Sequence, residues 1–218
     1  DLSGDGSNVT VDNGVTIDSS AKTAVKTSDS TNTPSTNNGT FSASTNYGLR
    51  NATGGNIFNL INNGSITAGN SYGIRNGGVI TSLTNSGTIS AANDNGIRNA
   101  DGGTIGTLTN SGVISVGDSS SLRIEGNIGT LLNSGTISAT NANSIYVKGQ
   151  LTTLSNTTTG TISAGMDNAI KAVNGATIQT IENSGLISAG RDFAIRNDQN
   201  INTTNVISLL NNSGTISA

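Results

Sequence analysis

Seven of the ten Lys and Arg residues in this 218-residue chain recur at one spacing: Lys26, Arg50, Arg75, Arg98, Arg123, Lys171 and Arg196. Each follows an apolar residue, as in Leu49-Arg50, Ile74-Arg75 and Ile97-Arg98. Tyr146 fills the one gap in the series, with Lys148 two residues on. Cations repeated along one face could hold a chain of carboxylates or sulfates, weakly at each site and strongly by multivalency. Like charges on neighbouring strands are unfavourable unless something neutralises them. The plainer alternative is therefore a solvated, aggregation-resistant strand whose charge is offset by Asp94, Asp101, Asp167 and Asp192. Two residues before each cation stands a small residue (Gly48, Gly73, Gly96, Ser121, Ser144, Ala169, Ala194), expected on the same face as a shallow smooth strip.

Other chemistry has little material. There is no His and no Cys, so no Ser-His-Asp triad, thiol nucleophile or metal site built on those residues can be assembled. Five of the 13 acids lie in the first 29 residues and the others are scattered at turns, with no pair at glycosidase spacing. A calcium-binding nonapeptide repeat is missing as well. The expectation is a non-enzyme with no cofactor and no metal. A net charge of −3 points away from nucleic acid.

The elements that would position the cations are set by a repeat. NSGTISA at Asn85 returns as NNGTFSA (Asn37), NNGSITA (Asn62), NSGVISV (Asn110), NSGTISA (Asn133), TTGTISA (Thr158), NSGLISA (Asn183) and NSGTISA (Asn212). Its glycines, from Gly39 to Gly214, are separated by 25, 23, 25, 23, 25, 25 and 29 residues. The 29 implies a four-residue insertion between Asp198 and Asn205. Between copies lie the apolar–cation pair and two apolar residues three apart, such as Ile80/Leu83 and Ile105/Leu108. Three apolar stretches per period, joined by Gly and Asn, predict three strands and three corners per coil of a parallel β-helix. Little Glu, Lys, Ala or Leu is available for helices. Residues 19–218 would form one β-helix domain of about eight coils, roughly 40 Å long, with residues 1–18 as an N-terminal cap or first strands.

Period-two alternation turns Ile and Ala of TISA inward and Thr and Ser outward. The Asn opening each block would stack into an inward corner ladder, interrupted at Thr158. The outward Thr/Ser pairs, such as Thr88/Ser90 and Thr136/Ser138, resemble an ice-binding surface, broken by Val113 and Leu186.

Tandem NSGTISA blocks alternating with GIRN blocks resemble the passenger domains of bacterial autotransporters, the type V secreted surface proteins of Gram-negative bacteria. The resemblance covers roughly residues 19–218 and implies an all-β, right-handed parallel β-helix (β-solenoid). It further implies export and display at the cell surface, tethered to the outer membrane by a part outside this chain. The chain stops on a repeat boundary and carries neither a signal peptide nor an apolar run near 18 residues, so it reads as a fragment without a transmembrane segment. The expected function is adhesion or cell–cell aggregation. Its partners would be a host receptor, an acidic glycan along Arg50, Arg75, Arg98, Arg123, Lys171 and Arg196, or further copies of the same protein. The alternative is a passive stalk presenting a distal domain; an enzyme or ice-binding surface comes third.

Overall fold

Short runs of Ile, Leu, Val and Thr broken by Gly and Asn favour extended segments that cannot lengthen into long strands. In the computed structural model these segments form three parallel sheets of nine strands each. The structure describes residues 2–4, 10–19, 25–27, 34–199 and 204–218, and no helix occurs among them. Each coil gives one strand to each sheet. In the first sheet Ile74 pairs with Leu49 and Ile97, in the second Ile80 with Ile57 and Ile105, and in the third Ile89 with Ile66 and Ile114. The chain is therefore an all-β solenoid with three strands per coil, as its repeat predicts. The strands of the first 19 residues join the stack in register (Leu2 with Val25, Thr10 with Thr36, Ile17 with Phe41) and extend every sheet by one rung.

The core is a set of columns. Phe41, Ile66, Ile89, Ile114, Ile137, Ile162 and Ile187 are buried above one another, and Ala68, Ala91, Val116 and Ala139 form a smaller cluster beside them. Each coil alone has too few apolar residues for a core; its neighbours above and below complete it. The pair three apart has its own geometry. Ile80 and Leu83 both point inward, Thr81 and Ser82 both outward, and the register skips Thr81. Strict alternation cannot put residues i and i+3 on one face, so the seven-residue strands of the second sheet bend at that point.

The alternating period is a corner effect. Between the first and second sheets, residues 52–55 and 100–103 make four-residue corners, whereas Gly77-Gly78 and Glu125-Gly126 make two-residue ones. The longer corners close by β-turns (Gly55 N–H to Ala52 O, 3.0 Å; Gly103 N–H to Ala100 O, 2.8 Å) and place Gly54 and Gly102 at φ +79° and +74°. The same corner lies between Asp198 and Val206. The expected insertion falls there, and residues 200–203 within it lie outside the described residues.

At the corner between the second and third sheets the Asn ladder forms without interruption. Asn37, Asn62, Asn85, Asn110, Asn133, Asn156 and Asn183 each donate Nδ2–H to the next Oδ1 at 2.7–2.8 Å, and Asn212 accepts the last of these bonds. The expected break at Thr158 is corrected: Asn156 pairs with Asn133 and holds the rung, and the two extra residues bulge between Asn156 and Gly160. A second, shorter ladder runs through Asn51, Asn76 and Asn99, one residue after each Arg, and gives way to Ile124 and Val147.

Candidate functional site

The three-residue strands of the first sheet place one outward side chain per coil. Leu49-Arg50-Asn51 has its outer residues buried and Arg50 half-buried, and the pattern repeats at Ile74–Asn76 and Ile97–Asn99. Lys26, Arg50, Arg75, Arg98, Arg123, Tyr146, Lys171 and Arg196 are register partners in one continuous column. The sequence-predicted cations are thus brought together as a stripe; the Lys26 side chain lies outside the described residues.

The smooth strip expected beside them is absent. Ser121, Ser144 and Ala169 are fully buried, and a Cβ on Gly48 would lie 2.7 Å from Ile66 Cγ2. The chain turns its corner at these positions, so two consecutive residues, such as Gly48 and Leu49, face the core before alternation resumes. Ser121 and Ser144 use their hydroxyls inside, donating to the Ser138 and Ser163 carbonyls.

Charge is answered unevenly along the stripe. Glu125 bridges two rungs: Oε2 accepts from Arg98 Nε at 2.8 Å and Nη2 at 2.7 Å, and Oε1 accepts from Arg123 Nε at 2.8 Å. Burial pushes the Glu125 carboxyl upward, but hydrogen bonds from Arg98 and Arg123 outweigh it and hold the pKa below its ordinary value. Asp198 sits 3.6 Å from Lys171 and 3.3 Å from Arg196, and Asp192 lies 3.5 Å from Arg196. Of the four aspartates expected to offset the stripe, Asp192 makes an ion pair. Asp167 accepts hydrogen bonds from Asn143 and Asn168, and Asp94 accepts one from the Asn95 backbone.

Arg50 and Arg75 are different. Neither has an ion-pair partner among the described residues, and Arg50 Nε and Arg75 Nη1 are buried donors without an acceptor. The reason is a second column two residues after the cations, which runs Ala52, Gly77, Ala100, Glu125, Lys148, Val173, Asp198. Acids stand in it only beside the later cations. This column, and the aromatic residues three before the cation, are the features that sequence reasoning missed; both were visible as fixed offsets from the arginines.

Aromatic rings flank the stripe. Tyr47 and Tyr72 stack at 5.5 Å with 7° between planes, and the Arg98 guanidinium covers Tyr72 at 5.1 Å while donating to its hydroxyl. Burial, then the Asp94 charge, raises the Tyr72 pKa. Arg123 lies 5.0 Å from the Tyr146 ring and Arg196 5.6 Å from that of Phe193. Such contacts stabilise a partly exposed guanidinium by about 1 kcal/mol.

Among the described residues no helix is long and apolar enough to cross a membrane. No protein-family profile, curated protein or solved structure matches the chain.

Proposed function

We propose that this chain is a rod-shaped part of a bacterial autotransporter passenger, displayed on the surface of a Gram-negative cell and acting in adhesion or cell–cell aggregation. The observation that carries the reading is the continuous outward column of the first sheet, in which a cationic side chain is repeated at every rung but one from Arg50 to Arg196. Weak contacts repeated on a rigid support give strong attachment when a partner engages several of them together. The NSGTISA and GIRN blocks supply the link to surface-displayed passengers. No catalytic step is part of this reading. Beads coated with the protein should clump with one another or adhere to glycan-bearing cells, and should do so less as salt is raised. Beads that behave like those coated with an inert protein would remove adhesion.

A passive stalk is the second reading. It is favoured by the ion pairs of Glu125 and Asp198, which give each cation of the stripe from Arg98 to Arg196 a carboxylate partner and offset part of the charge without any ligand.

A further inference from the structure

The rod contains two copies of one arginine pair, and only one copy is complete. Arg98, Arg123 and Glu125 each have a counterpart 48 positions earlier: Arg50, Arg75 and Gly77. The surroundings correspond as well. Arg50 and Arg98 both precede four-residue corners, Arg75 and Arg123 both precede two-residue corners, and each pair consists of direct register partners. In the complete copy the carboxylate takes Nε–H of both arginines. In the earlier copy Gly77 stands where Glu125 would be, and Nε of Arg50, the counterpart of the Arg98 atom that holds Glu125, has no acceptor among the described residues. Arg75 Nη1 likewise has none among them and lies over Gly77, 3.1 Å from where a Cβ would be.

We infer that Arg50 and Arg75 form a binding site for a carboxylate supplied by another molecule, which takes the place that Glu125 occupies two coils further on. Two guanidinium groups one rung apart, already desolvated in part, gain charge-assisted hydrogen bonds that no group among the described residues makes. The carboxylate belongs to a uronic acid in a polysaccharide. The first-sheet strands here are paired on both edges, so a peptide finds no edge to extend. The groups around the pair suit a sugar: the Thr53 hydroxyl borders Gly77, and the Tyr47 ring, stacked on Tyr72, lies 6.0 Å from the Arg50 guanidinium as an aromatic platform. The inference rests on the adhesive reading and narrows it to one site.

Retention of the 218-residue protein on immobilised polygalacturonate tests it, with its methyl ester and poly-glutamate as controls. The wild type should be retained on the free acid, released by salt, and not held by the neutral ester. Gly77→Glu builds the missing clamp. Its Cβ would lie 3.1 Å from Arg75 Nη1 and 3.3 Å from Thr53 Oγ1, both side-chain atoms able to shift, and at ordinary contact distance, 3.4 Å, from the Thr53 backbone nitrogen, so the fold should persist while retention falls roughly tenfold. Glu125→Gln frees Arg98 and Arg123 and should strengthen retention. A wild type that flows through, or a folded Gly77→Glu variant retained like the wild type, would overturn the site. Retention on poly-glutamate alone would overturn the sugar assignment. Beads that adhere to cells while the protein ignores polygalacturonate would sink this site and leave the adhesive reading standing; inert beads would sink both.

Discussion

Single side chains here act through their neighbours one rung away. Asn110 donates to Asn133 Oδ1, Gly112 O and Thr136 O, and receives a hydrogen bond from Asn85. Replacing it with Ala orphans buried groups on both sides, so Asn110→Ala should lower stability by about 3 kcal/mol in denaturant titration. A loss below about 0.5 kcal/mol would mean that the ladder is ornamental. Glu125 gives a pH signature. Its pKa is lowered in the folded state, so its contribution is full above the ordinary value of 4.5 and is lost as pH falls through the depressed one. The stability of the wild type should decline across that acid range, and Glu125→Gln should flatten the decline. Equal slopes would show that the bridge to Arg98 and Arg123 adds nothing.

Each strand is held by burial on its inner face and by its neighbours' backbones. Ile114 is fully buried, paired with Ile89 and Ile137. Ile114→Asp puts a charge into a core one side chain wide and should abolish the cooperative thermal transition. At the corner before it, a Cβ on Gly112 would lie 2.1 Å from Gly87 O, a backbone atom that cannot step aside. Gly112→Ala should therefore destabilise severely, whereas Gly117→Ala, where the nearest atom is 3.6 Å away, should be tolerated. Melting curves of the two variants separate these outcomes. Much of this was readable beforehand. The Ile column, the first Asn ladder and the arginine stripe follow from the repeat and from alternation within strands. The buried small residues at Gly48 and Ser121 were not, because alternation fails where a corner turns two consecutive side chains inward. The Glu125 bridge, though its column stands at a fixed offset from the arginines, was missed for another reason. It joins residues 27 positions apart, and only the coil register brings Arg98 and Glu125 into contact.

At the scale of the whole molecule, stacking makes properties cumulative along one axis. In this chain the last strand of the second sheet, Val206–Asn212, is paired on one side and exposes Val206, Leu209 and Leu210. Such an edge invites pairing with another copy, so sedimentation should show association that grows with concentration and weakens in Leu210→Lys. A monomer at all concentrations would contradict it. The stack itself underlies every other statement, since the arginine pairs, the ladders and the core columns exist only if successive coils lie in register. The chain has no Cys, so paired spin labels can be placed at will. Ser42, Ser138, Ser163 and Ser188 face outward in the third sheet, with Ser42 four, five and six rungs from the others. Cysteine pairs joining position 42 to 138, 163 and 188 should give narrow distances that increase by about 4.8 Å per rung, from roughly 19 to 29 Å. Broad distributions, or distances that do not rise in even steps, would contradict the in-register solenoid.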